Sequence, residues 1–167
     1  MTTSHSTELL KNMLVSGGND FYTRPSKTIG ATYRLLFCRL PSLYIRRSCK
    51  VDVLIPGIMN IPHLPAARIV RNDGLPVLPF LVLLILKVQG WWDHRNSDRS
   101  DYRAKQHQDS SDVDAMLAIG KRRGEDFSLL RTWLSDDFTR HGQKIILEYI
   151  AMHGRREMWE VLGFYNL

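Results

Sequence analysis

The amino-acid sequence predicts an α+β protein, and three observations support that class. Two largely apolar segments, residues 31–40 and 49–55, flank a short polar loop, which is the pattern of an antiparallel β-hairpin. Helical periodicity dominates the chain after Pro79. The length of 167 residues, with 44% hydrophobic and 24% charged residues, suits one globular domain of average size. One hairpin followed mostly by helices is an α+β order.

The first half of the chain is predicted to begin with a short helix at residues 6–15, where leucine and methionine recur at helical spacing. The glycine-rich segment 16–20 ends that helix. Two strands follow, and a basic polar loop at residues 41–48 connects them. A short extended piece at residues 67–71 precedes Asn72-Asp73-Gly74, which is a turn signal.

The second half of the chain is predicted to be mostly helical. A buried helix covers residues 80–92, because Pro79 suits the start of a helix and the following run is apolar. Residues 93–108 are expected to form a polar loop, after which Ser110 or Ser111 caps a helix that ends near Gly120. Two further helices are predicted at residues 127–140 and 143–162.

The net charge of +6 lies entirely in the first half of the sequence. Residues 1–74 contain ten basic and four acidic residues, whereas the remainder contains 13 of each. This asymmetry indicates an anionic partner, which is a phosphate group, a nucleic acid or an acidic protein surface. The alternative is a basic surface without a dedicated ligand.

Cysteine content and hydropathy predict an intracellular, cytoplasmic protein that does not enter the membrane. Cys38 and Cys49 are too few for a disulfide framework or a four-cysteine zinc site. The polar N-terminus lacks the pattern of a secretory signal. The most apolar run, residues 75–86, contains two prolines and precedes Lys87, so it is too short to span a bilayer.

The common catalytic motifs are absent from the sequence. It contains no glycine-rich phosphate loop, no Gly-x-Ser-x-Gly motif and no cysteine–histidine pairing. Four histidines lack metal-ligand spacing and are interpreted as surface residues: His94, His107, His141 and His153. Four tryptophans are predicted to pack in the core rather than to stack on bases: Trp91, Trp92, Trp133 and Trp159.

Asp52 is the first candidate site residue, because it stands within the apolar stretch Val51-Asp52-Val53-Leu54-Ile55. A carboxylate in a buried strand is unfavourable unless it is paired or binds a cation. The functional interpretation is a metal-binding carboxylate at a sheet surface. The alternatives are a solvent-facing strand residue, or an ion pair with Lys50, which is two positions away on the same face.

Lys87, Asp109 and Asp112 are the other candidates. Lys87 ends an apolar helical run, so its ammonium group either contacts an anion such as phosphate or is a helix-end cation. Asp109 and Asp112 are three residues apart near a predicted helix start, where the helix dipole favours carboxylates. The two acids therefore either cap that helix or, through a tertiary contact, orient Lys87 or a basic partner.

Together these segments resemble the nucleotidyltransferase-fold superfamily over residues 21 to about 118. The resemblance is to fungal nucleotidyltransferase-like proteins and, more distantly, to AbiEii-type toxin nucleotidyltransferases. It is carried by four segments in a fixed order: FYTRPSKTIGATYRLLFCRL, KVDVLIPGIMNIP, RIVRNDGLPVLPFLVLLILKVQGWWDHR and QDSSDVDAML.

The resemblance implies a partial mixed sheet in a nucleotidyltransferase-like domain at residues 1–123, followed by a helical extension at residues 124–167. It implies transfer of a nucleotidyl group from an NTP to an acceptor, assisted by Mg²⁺. Asp52 corresponds to the third metal-binding carboxylate, which acts as metal ligand or base, and Lys87 corresponds to a triphosphate contact. Asp109 and Asp112 correspond to residues that support the site.

The sequence departs from this family pattern before Asp52. Two metal ions in such a site are held by a paired Asp-x-Asp as well as by a third acid, whereas residues 1–51 contain only Glu8 and Asp20. We therefore expect an N-terminally incomplete domain with little or no catalysis. The alternatives are a non-catalytic basic module that binds nucleic acid or an acidic protein, and an incomplete chain without a stable fold.

Overall fold

The computed structural model describes residues 2–41 and 47–165, and the chain forms two compact units, Met1–Met59 and Asn60–Leu167. The described part of the first unit contains one helix and one three-stranded antiparallel sheet in the order β1-β2-β3. Its elements are α1 (Thr2–Ser16), β1 (Phe21–Pro25), β2 (Arg34–Leu40) and β3 (Arg47–Val51).

The register of this sheet places the two central rows of side chains on opposite faces. Tyr22, Phe37 and Lys50 lie opposite one another on the three strands, and Phe21, Cys38 and Cys49 form the next row. Because successive residues of a strand point to opposite faces, these rows belong to different faces of the sheet.

The predicted hairpin is confirmed as the antiparallel pair β2–β3. Its connecting loop was expected at residues 41–48, of which 42–46 lie outside the described residues. Strand β1 was not predicted, because its sequence FYTRP shows little apolar alternation and ends in proline. Pairing with β2 along its whole length stabilises β1 as a strand.

The second unit begins with a 3₁₀ turn (Ala66–Arg68) and a short hairpin of β4 (Val70–Asn72) and β5 (Leu75–Val77). The predicted turn joins these strands, and Asp73 and Gly74 both have positive φ, at 49° and 80°. Positive φ at both central residues is typical of the tight type I′ turn, which confirms the turn signal.

Six helices follow in the described part of this unit: α2 (Phe80–Arg95), α3 (Ser100–Arg103), α4 (Gln106–Arg123), α5 (Ser128–Arg131), α6 (Asp136–His153) and α7 (Arg156–Val161). The core of the unit lies among α2, α4, α6 and α7, and eighteen buried hydrophobic residues form it. Trp91 and Trp159 are fully buried and Trp92 and Trp133 partly so, which confirms their prediction as packing residues.

The predicted loop at residues 93–108 is wrong. Helix α2 continues to Arg95, and α3 and the start of α4 occupy much of the remainder, so Ser110 and Ser111 lie inside α4 rather than at its cap. These segments are polar because most of their side chains face solvent. The prediction of one helix at residues 127–140 is also wrong, since the chain breaks between α5 and α6.

The α+β class is confirmed, with small sheets followed by a helical C-terminal part. The described strands form antiparallel pairs only, which differs from the mixed sheet that the resemblance implies. The two compact units divide after Met59, and within the second unit α6 and α7 share a core with α2 and α4. Across residues 2–41 and 47–165, the chain has no helix with the length and apolarity needed to cross a membrane.

Candidate functional site

Lys87 lies on α2 between residues that are fully buried in the core. The apolar side of this helix includes Leu84, Ile85 and Val88, each at most 1% exposed. Because Lys87 lies next to these apolar residues, its aliphatic stem packs along the helix surface, while 30% of its side chain is exposed. The ammonium group therefore reaches the edge of the core, where α4 packs on α2.

Helix α4 supplies two carboxylates at this edge. Asp109 lies in the first turn of α4 and is only 6% exposed, and Asp112 follows on the same side of the helix one turn later. Lys87 Nζ is 2.8 Å from Asp109 Oδ1 and 2.7 Å from Asp112 Oδ2. The structure therefore brings together three of the four predicted site residues.

His94 completes the cluster, although the sequence interpretation placed it on the surface. Its Nδ1 atom is 2.5 Å from Asp109 Oδ2, so the buried carboxylate has a partner at each oxygen. His94 lies seven residues after Lys87, and two helical turns place both on the same side of α2. The i, i+7 spacing was the only sequence signal for this contact. We call Lys87, His94, Asp109 and Asp112 the lysine–aspartate cluster.

The electrostatics of the lysine–aspartate cluster keep Lys87 charged. Burial by itself lowers the pKa of Lys87, but hydrogen bonds and attraction to Asp109 and Asp112 outweigh it and raise this pKa above its usual value. The hydrogen bond from Lys87, followed by one from Gln108, lowers the pKa of Asp112. Two carboxylates thus more than offset the positive charge of one lysine.

The remaining hydrogen-bonding capacity of Lys87 is small. An ammonium group has three donors, and two of them point to Asp109 and Asp112. A phosphate oxygen that approaches Lys87 would take the third donor or displace the more exposed acid, Asp112, whose side chain is 40% exposed. The geometry permits one phosphate contact at a pre-oriented lysine, but it offers no excess positive charge.

Asp52 lies in the first compact unit, directly after β3. Its side chain is 67% exposed, and its Oδ1 atom is 2.5 Å from Lys50 Nζ. The ion pair that the sequence suggested as an alternative is therefore present. Among the side chains described at residues 7–41 and 47–165, no group of three His, Cys, Asp or Glu has the geometry for a metal ion. Because Mg²⁺ needs several oxygen ligands, the described residues around Asp52 do not fit a two-metal site.

A second candidate surface lies on one face of the three-stranded sheet, and the sequence interpretation missed it because β1 was not predicted. The rings of Tyr22 and Phe37 stack with centroids 5.7 Å apart and an interplanar angle of 22°. The Arg24 guanidinium lies 5.1 Å from each ring centroid, and that of Arg39 lies 4.7 Å from the Tyr22 centroid. With Lys50 beside Phe37, these residues form what we call the aromatic sheet face.

Comparison of the chain with protein-family models, with curated proteins and with solved structures found no match in any of the three.

Proposed function

We propose that the protein is nucleotidyltransferase-like and binds a nucleoside triphosphate at the lysine–aspartate cluster without transferring its nucleotidyl group. The observation that carries the proposal is the contact between Lys87 and Asp109, residues 22 positions apart that the resemblance assigns to one site. In this proposal, Lys87 contacts a phosphate oxygen, while Asp109 and Asp112 hold its ammonium group in place.

Little or no catalysis is expected of this chain. Nucleotidyl transfer accumulates negative charge at the attacked phosphate, and enzymes of this kind neutralise that charge with two metal ions. Asp52 is the single carboxylate of this chain that matches the metal-binding pattern, and Glu8 and Asp20 do not form an Asp-x-Asp pair. One carboxylate is insufficient to hold two Mg²⁺ ions.

The test is a calorimetric titration of the full chain with ATP in the presence of Mg²⁺. Wild-type protein is expected to bind ATP, and Lys87→Met is expected to weaken binding about tenfold, as for loss of one charge-assisted hydrogen bond. Lys105→Met removes a nearby lysine that is outside the cluster and should leave the affinity unchanged. Asp112→Asn should strengthen binding, because it removes a carboxylate that competes with phosphate for Lys87.

Two outcomes would contradict parts of this proposal. Equal ATP affinity for wild type and Lys87→Met, with both proteins folded by circular dichroism, would refute the binding site. Incubation with labelled NTPs, Mg²⁺ or Mn²⁺ and tRNA or protein acceptors tests the predicted inactivity. Metal-dependent transfer that Asp52→Ala abolishes would refute inactivity and establish Asp52 as a metal ligand or base.

A second candidate function is binding of single-stranded nucleic acid on the aromatic sheet face. Residues 1–59 contain eight basic and three acidic residues, and stacked rings beside exposed arginines suit bases and phosphates respectively. Sheets with exposed aromatic residues are a common platform for single-stranded RNA. The alternative is that the arginines simply cover two cross-strand aromatic rings by cation–π packing.

Fluorescence anisotropy with a labelled single-stranded oligouridine distinguishes these interpretations. Affinity is expected to fall steeply with salt, and Phe37→Ala and Arg24→Ala should each weaken binding by about tenfold. Arg140→Ala removes an exposed cation of the second unit that pairs with Asp137, and it serves as the charge-matched control. Absence of binding even at low salt would reject this function.

A further inference from the structure

The only two cysteines of the chain lie directly opposite each other on neighbouring strands. Cys38 of β2 and Cys49 of β3 are partners in the antiparallel register, and both are free. Directly opposite residues project from the same face of a sheet, so the two thiols are neighbours. Eleven positions separate them in the sequence, and only the strand register shows that they form a pair.

Backbone hydrogen bonds show whether Cys38 and Cys49 form a hydrogen-bonded or a non-hydrogen-bonded pair of the antiparallel ladder. Arg39 N donates to Asp20 O at 2.7 Å, which continues the ladder between β1 and β2. The peptide groups of alternate residues point to opposite neighbours, so those of Cys38 point to β3. Cys38 and Cys49 are therefore a hydrogen-bonded pair, whose Cα atoms in such ladders are about 5.5 Å apart. Disulfides join residues with Cα atoms about 4.4–6.8 Å apart, so the backbone can accommodate a bridge.

We propose that Cys38 and Cys49 are a reversible redox-modification site whose oxidant is a small-molecule disulfide such as oxidised glutathione. Cys49 is exposed and reacts first, because Cys38 is half-buried and its thiol donates to Arg39 O at 3.4 Å. The Cys49 thiolate attacks one sulfur of the oxidant and releases one glutathione thiolate. The Cys38 thiolate then attacks the Cys49 sulfur of the mixed disulfide and releases the second glutathione.

This exchange is balanced. The protein loses two protons and two electrons and gains one sulfur–sulfur bond, while one oxidised glutathione becomes two reduced molecules. Opposite Cβ atoms in a ladder are about 4.5–5.5 Å apart, whereas a disulfide needs about 3.8 Å. The bridge must therefore draw the side chains of Cys38 and Cys49 together, and the resulting strain makes it easy to reduce. Reduced glutathione is expected to reopen it.

The test uses the full reduced chain with oxidised glutathione under native conditions, followed by alkylation of remaining thiols and mass spectrometry. The expected product is a monomer that has lost two hydrogen atoms and yields one peptide pair linked through Cys38 and Cys49. Cys38→Ser and Cys49→Ser are matched controls, and neither should form the bridge. Cys38→Ser should instead accumulate a glutathione adduct at Cys49.

The rate at which the Cys38–Cys49 bond closes tests whether the sheet register brings the two thiols together. Closure is expected to be at least about tenfold faster in the native chain than in guanidinium chloride, because the strands hold both thiols in place. Wild-type protein that stops at a glutathione adduct, or that forms a disulfide-linked dimer, would overturn the proposal. Equal closing rates in native and denatured chains would also overturn it.

Discussion

Asp109 is a buried carboxylate of α4 that joins two residues of α2. It is 6% exposed, and its two oxygens contact Lys87 and His94 separately. A buried carboxylate is stable only when such partners replace the water that it loses. Asp112 contacts the same lysine but is much more exposed. When Asp112 is substituted, water can therefore replace the contact that Lys87 loses.

Asp109→Asn is therefore expected to destabilise the protein by about 2 kcal/mol, because it leaves Lys87 half-paired and removes an acceptor of His94. Asp112→Asn is the matched control, and its effect on the free energy of unfolding should be clearly smaller. Urea denaturation of both variants measures the difference. Equal losses for the two substitutions would show that burial of Asp109 is not the deciding factor.

His153 is a second residue whose surroundings change its pKa. It was interpreted as a surface residue, and its ring stacks on Tyr149 with centroids 4.5 Å apart and meets Trp91 edge-on at 5.5 Å. Burial lowers the pKa of His153 from 6.5, and Arg95 and His107 act in the same direction. Asp114 opposes them without reversing the shift.

The pH dependence follows from the sign of that shift. Because the folded-state pKa of His153 lies below 6.5, the unfolded chain binds the proton more readily, and stability falls as the pH drops from about 6.5 through the folded pKa. His153→Phe keeps an aromatic ring but cannot titrate. The difference in unfolding free energy between wild type and His153→Phe should be constant above pH 7. At lower pH the wild type should lose stability relative to His153→Phe. A difference that does not change with pH would contradict this expectation.

At the scale of elements, two helix ends of the second unit are followed by glycines with positive φ that differ in their surroundings. Gly124 ends α4 with φ 65° in the left-handed region. Gly163 follows α7 with φ 83°, next to the backbone hydrogen bond from Phe127 N to Leu162 O at 2.8 Å. That bond joins the segment before α5 to the end of α7, so the conformation of Gly163 sets how these segments meet.

Alanine at the two glycines should have different effects. A Cβ at Gly163 would overlap Asp126 Oδ1 and lie 3.0 Å from Phe127 N, whereas nothing lies within 4 Å of a Cβ at Gly124. Gly124→Ala is therefore expected to cost about 1 kcal/mol, which is the backbone strain alone. Gly163→Ala should cost about 3 kcal/mol, since steric overlap adds to the strain. Thermal unfolding of both variants provides the comparison, and losses of similar size would exclude the steric contribution.

The elements also show what the sequence could and could not predict. The periodicity of α2 and the turn at Asp73 were predictable, because each depends on neighbouring residues alone. Strand β1 and the start of α4 were missed, since their stability comes from pairing with β2 and packing on α2. The same reason applies to the candidate sites. Lys87 and Asp109 were recognisable as unusual residues, but their contact depends on the register of α2 against α4.

At the scale of the whole molecule, the buried core is distributed unequally between the two units. All eighteen residues of the hydrophobic core lie within Asn60–Leu167. Polar contacts at its margin join the same helices, since Glu148 of α6 accepts hydrogen bonds from Trp92 and Arg95 of α2 at 2.9 and 3.2 Å. In the described part of Met1–Met59, Leu36 is the one fully buried hydrophobic residue.

A fragment of residues 60–167 is therefore expected to fold by itself. Folding free energy comes mainly from buried apolar surface, and the eighteen core residues supply that surface within this one unit. Circular dichroism during heating should show a cooperative transition for fragment 60–167 within about 5 °C of the main transition of the full chain. A fragment 60–167 that melts without cooperativity would contradict this expectation, because it would mean that the eighteen core residues do not suffice for folding.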